Sequence, residues 1–76
     1  MDYLVVIERG HTGYGAFVPD LPGCVAAADS REEVETLIRE AIELHVQDLR
    51  QEGHPVPEPT CTGQLVTVNV TSPHLR

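Results

Sequence analysis

The stretch Val18-Pro-Asp-Leu-Pro-Gly-Cys24 decides how this chain folds. Pro19 and Pro22 have no backbone N–H to give to a ladder, so strand pairing must break here. Pro19, Pro22 and Gly23 therefore read as a structural turn between two strands. Upstream, Tyr14-Gly-Ala-Phe-Val18 is the returning strand of a hairpin. Its partner is Asp2-Tyr-Leu-Val-Val-Ile-Glu8, and Arg9-Gly-His-Thr-Gly13 is the glycine-punctuated turn between them. In the first strand, Tyr3, Val5 and Ile7 face one way and Leu4 and Val6 the other. Both faces are apolar, as in a strand covered on both sides. Downstream, Cys24-Val-Ala-Ala-Ala28 is a short third strand whose small side chains suit close packing by another element.

Asp29-Ser-Arg-Glu-Glu33 opens a helix. Ser30 is the expected N-cap and Glu33 sits at N3, which makes a capping box. Glu32, Glu33 and Glu35 occupy the first turns, where the helix dipole favours negative charge. Val34, Leu37, Ile38, Ala41, Ile42, His45 and Leu49 recur at helical spacing and form the expected core stripe. Gly53 fits the C′ position and Pro55 follows soon after. The helix is expected over 31–52, about 33 Å at 1.5 Å per residue.

His54-Pro-Val-Pro-Glu-Pro59 reads as a stiff extended connector. Gln64-Leu-Val-Thr-Val-Asn-Val70 reads as a final strand, with Val66, Val68 and Val70 on one face and Leu65, Thr67 and Asn69 on the other. A loose tail over 72–76 completes the chain. The expected fold is α+β, in the order β-β-β-α-β: one long helix on a four-stranded sheet of order 3-2-1-4, closed by a right-handed crossover. One helix covers only one face of such a sheet. The apolar residues on the other face point to association. A homo-oligomer is expected, either burying that face or pairing an edge such as residues 24–28.

Composition bounds the function. The chain has 76 residues, room for one domain, and a formal charge of −7. All five basic residues are arginines, dispersed at Arg9, Arg31, Arg39, Arg50 and Arg76. Gripping a phosphate backbone needs clustered positive charge, so direct nucleic-acid binding is not expected. A basic protein is the electrostatic complement; the plainer reading is that acidity keeps the chain soluble. No apolar run approaches the ~18 residues of a membrane span. Met1-Asp2-Tyr3 lacks the basic start of a signal peptide. A soluble cytoplasmic protein without a membrane partner is expected.

Catalysis finds little support. The first strand offers acids only at its ends, Asp2 and Glu8, with nothing between them to hold a metal. Glu40, Glu43 and Asp48 read as a solvated helix face. His11, His45, His54 and His74 share no ligand spacing with Cys24 and Cys61. Cys24 begins a strand and has no evident base; both cysteines read as small apolar residues. Gly10, Gly13 and Gly15 lie in a hairpin, without the lysine and helix of a phosphate loop. No cofactor, metal or catalytic residue is expected, and the chain is read as a non-enzyme.

Taken together, Val18-Pro-Asp-Leu-Pro-Gly-Cys24, Ser30-Arg-Glu-Glu-Val34, Glu40-Ala-Ile42 and the Gly53 to Pro57 exit resemble the HicB-like antitoxin family, over about Tyr3 to Val70. The resemblance implies a partial ribonuclease-H-like fold without an active site. It also implies a type II toxin–antitoxin role: neutralising a HicA-like toxin, a small basic RNA-cleaving protein, by direct binding. Many members add a C-terminal DNA-binding domain. Here a single domain over 1–76 is expected, with no such addition. The family motif does not fix the toxin contacts. Asp20, Asp29, Glu32 and Glu35 are the candidate partner contacts, from charge and expected exposure; Asp20 and Asp29 flank the short third strand and read equally as turn residues. The alternative function is a stand-alone oligomeric structural or regulatory domain with no toxin.

Overall fold

Residues 18–24 fold into two consecutive turns. The Leu21 N–H donates to the Val18 carbonyl at 3.0 Å, and the Cys24 N–H donates to the Leu21 carbonyl at 3.1 Å. The Val18 N–H closes the unit on the Cys24 carbonyl at 3.2 Å. Pro22 and Gly23 are the central residues of the second turn, and Gly23 has φ +85°. A type II turn requires positive φ there, which glycine adopts without strain. The double turn also turns its apolar side chains inward: Val18, Leu21 and Cys24 are 2%, 0% and 3% exposed.

This computed structural model describes residues 1–71, so the expected tail over 72–76 lies outside the described residues. The element order is β1 (Val6–Arg9), β2 (Tyr14–Phe17), β3 (Val25–Ala28) and α1 (Arg31–Gln51). Among the described residues the strands form one antiparallel sheet of order β1-β2-β3. Val6 pairs with Phe17 and Phe17 with Val25, so these three share a row across the sheet. That register places Leu4 opposite Pro19, which has no N–H to offer. Regular pairing of β1 accordingly begins at Val6, not at Asp2.

Ser30 caps α1 as expected: its hydroxyl oxygen accepts the Glu33 N–H at 3.1 Å, and its O–H donates to the Glu33 carboxylate at 3.1 Å. At the other end, the Gly53 N–H reaches the Arg50 carbonyl and the His54 N–H the Leu49 carbonyl. With Gly53 at φ +74°, this is a Schellman motif. The helix packs on β3 and β2. Small residues beneath it, Ala16, Ala26 and Ala28, let it come close. Val34 and Ile38 complete the buried core with Ala16, Val18, Leu21 and Cys24. Leu37 departs from the expected core stripe and is 41% exposed. It lies on the flank of a helix seated over an edge strand, with no further strand to cover it.

Among the described residues the sheet has three strands, and the expected fourth strand does not join it. Residues 64–70 pair with no other described strand and are exposed along their whole length. The reason lies upstream, where the connector is tied down. The Tyr3 hydroxyl donates to the Pro57 carbonyl. Asp20 accepts the Thr60 N–H at 2.8 Å, the Thr60 hydroxyl at 2.7 Å and the Cys61 N–H at 3.0 Å. Gly63 then passes against the Leu4 side chain. Tyr3, Val5 and Ile7 pack towards the helix, so the intervening Leu4 points to the opposite face. The chain has crossed the end of the sheet and leaves on its uncovered side.

Two predictions follow from the double turn. Leu21→Ala empties a fully buried site and should cost about 2–5 kcal/mol, a large fraction of the stability of so small a domain. Urea denaturation followed by circular dichroism measures it; a loss below 1 kcal/mol, the cost of a surface change, would contradict the burial. The second concerns Asp20. Hydrogen bonds from the Cys61 and Thr60 amides, and then from the Thr60 hydroxyl, hold its carboxyl at about 2. In the unfolded chain it titrates near about 3.9. The folded value is the lower one, so the clamp's contribution is complete above about pH 4 and is lost as pH falls towards about 2. The Thr60 and Cys61 amide resonances should titrate with a midpoint near the lower value. A midpoint near 4 would mean that Asp20 is a free surface carboxylate.

Candidate functional site

Two surfaces of the molecule leave apolar side chains open to solvent, one on each flank of α1. The first is a ridge. Glu33, Leu37, Glu40 and Leu44 follow i, i+4, i+7, i+11 spacing and so fall on one line of the helix. All four are exposed, Leu44 at 61%. Glu32 and Thr36 border the same ridge. Two leucines are thus offered to solvent between carboxylates, an arrangement suited to a partner with apolar contacts inside a basic rim.

The second surface is a groove between β1 and the opposite flank of α1. The helix sits over β3 and β2, so the larger inward side chains of the β1 segment are only partly covered. Tyr3, Val5 and Ile7 from that segment, with Ile38 and Ile42 from the helix, line a cleft of about 420 Å³. Asp2, Glu35, Arg39 and Glu43 also line it. Three of those four are acids, so the groove too is acidic at its edge.

The expected contact residues do not gather at one point. Asp29 is exposed immediately before the helix cap. Glu32 borders the leucine ridge, whereas Glu35 borders the groove and accepts a hydrogen bond from Arg31 Nε at 3.0 Å. That pair is exposed and contributes little to stability. Asp20 is occupied differently, since both its carboxylate oxygens accept from Thr60 and Cys61 of its own chain. The groove was partly legible in the doubly apolar first strand. The exposure of Leu37 was not, because helical periodicity alone assigns it to the core.

Among the described residues, no three His, Cys, Asp or Glu side chains gather as a metal-binding group. Cys24 and Cys61 are both free thiols. Cys24 is buried, and burial pushes its thiol pKa up, away from the reactive thiolate. No helix among the described residues is long and apolar enough to cross a membrane.

Comparison with known proteins agrees with this arrangement of three antiparallel strands and one long helix. The fold is similar to that of a chain in the solved HicA3 and HicB3 toxin-antitoxin complex, with a TM-score of 0.68 and 28% identity, over 79% of this chain and 70% of that one. An uncharacterized 14.9 kDa protein of Haemophilus phage HP1 is 34% identical over 76% of this chain and 44% of its own length. A UPF0150 protein of Helicobacter pylori is 54% identical over 58% of this chain and 61% of its own length. One from Synechocystis is 43% identical over 75% of this chain and 73% of its own length. The chain therefore spans less than two thirds of the phage and Helicobacter relatives. Residues 3–74 match the family described as HicB_like antitoxin of bacterial toxin-antitoxin system, and the chain belongs to that family.

Proposed function

We propose that this protein is the antitoxin of a type II toxin–antitoxin pair, and that it neutralises a HicA-like ribonuclease toxin by covering the toxin's RNA-binding surface. The observation that carries this reading is the exposed ridge of Glu33, Leu37, Glu40 and Leu44. A ribonuclease must hold RNA with lysine and arginine, so its working face is positive. The acidic ridge is the complement of that face, and its leucines supply the apolar contacts that hold a complex once formed. Asp29, Glu32 and Glu35 extend the negative field around the helix start. Asp20, which is engaged within its own chain, contributes by holding the connector in place. Neutralisation of this kind is occlusion and needs no chemistry from the antitoxin. The fold's likeness to a chain of a HicA3–HicB3 complex supports the choice of partner class.

The two kinds of contact have separable signatures. Glu32→Lys with Glu35→Lys should slow association with the toxin and flatten its dependence on salt, because exposed charges act mainly on encounter. Leu44→Asp should instead speed dissociation and weaken binding by on the order of 2 kcal/mol, the scale of an interface hot spot. Leu44 is 61% exposed, so the fold should be unaffected. Stopped-flow binding and RNA-cleavage assays with the cognate toxin check both. A toxin that remains fully active on RNA in saturating amounts of this protein would overturn the reading.

A further inference from the structure

Each chain carries an unpaired segment with the alternation of a strand and an unpaired sheet edge, and the two match. Residues 64–70 are exposed throughout; Leu65, Val66, Val68 and Val70 are between 65% and 101% exposed. In sheet order β1-β2-β3, β1 has a neighbour on one side only, which leaves a row of N–H and C=O groups unpaired. We infer that the 64–70 arm of one chain adds to β1 of a second copy as a fourth strand, and that the second copy returns the same contact.

The pattern of side chains fits this pairing. An arm lying in plane beside β1 directs alternate residues to the two faces of the sheet. Val66, Val68 and Val70 would enter the groove beside Tyr3, Val5 and Ile7, whose helix-side wall is Ile38 and Ile42. On the other face, a parallel arm sets Leu65 near Leu4 and Val6, and Asn69 near Glu8. Apolar then meets apolar and polar meets polar, whereas an antiparallel arm reverses both matches. The other free edge, β3, offers no such groove, because its inward residues are alanines that pack into the core cluster.

The exit route favours a second copy over the chain's own edge. Asp20 fixes Thr60 and Cys61, and Gly63 lies against Leu4 on the face opposite the helix. Among the described residues the arm nevertheless pairs with no strand of its own chain, β1 included. One arm and one edge per chain close into a two-fold pair with no strand left over.

The test uses the full chain without any toxin, so its outcome is independent of the antitoxin reading. Sedimentation across the micromolar range should show a dimer. In a mixture of isotope-labelled and unlabelled chains, filtered nuclear Overhauser contacts should link the Val66, Val68 and Val70 methyls of one copy to Tyr3, Val5 and Ile7 of the other. Val68→Lys should abolish the dimer at concentrations where the unaltered chain is fully paired, while circular dichroism stays unchanged, since Val68 lies outside the core. The inference is overturned by a monomer, by arm contacts found only within one chain, or by a dimer that survives Val68→Lys.

Discussion

Everything in this molecule is arranged around the double turn from Val18 to Cys24. Pro19 and Pro22 deny the ladder its donors, so the chain must reverse without ordinary hairpin pairing. It does so with three backbone hydrogen bonds, while Leu21 and Cys24 become part of the core. A loop in this position would usually be a polar surface feature. Here it supplies half of the six buried core residues, counting Val18. The same turn holds Asp20 at a fixed place at the end of the sheet. Its carboxylate gathers the amides of Thr60 and Cys61 from forty and forty-one residues away. The turn therefore sets both the floor of the core and the path by which the chain leaves the domain.

The position of the helix follows from side-chain size. Alanines at positions 16, 26 and 28 let α1 settle over β2 and β3, not over the bulkier Tyr3, Val5 and Ile7. This off-centre seat exposes Leu37 and Leu44 on one flank and opens the β1 groove on the other. The leucine ridge and the β1 groove thus both arise from one packing decision and lie on different flanks of the helix.

Much of this was legible in the sequence where the governing interactions are local. The prolines and Gly23 mark the turn, Ser30 and Glu33 mark the helix start, and Gly53 marks its end. Each acts within a few residues, and the structure places these turns and caps where the sequence puts them. The readings that differ from the structure depend on distant contacts. Asp20 could be read locally as a turn residue or a partner contact, and nothing near it in sequence reveals its bonds to Thr60 and Cys61. Leu37 matched the core spacing, yet the sheet ends at β3 and leaves it uncovered. Residues 64–70 have the alternation of a strand, but alternation does not specify which edge, or whose, receives it.

The central claim is that the double turn is core and not loop. Native-state hydrogen exchange measures this directly, residue by residue. The amides of Val18, Leu21 and Cys24 should exchange only through global unfolding, with the same free energy as Ile38 in the helix. If those three exchange through small local openings while Ile38 stays protected, the turn is an ordinary surface loop and the account fails.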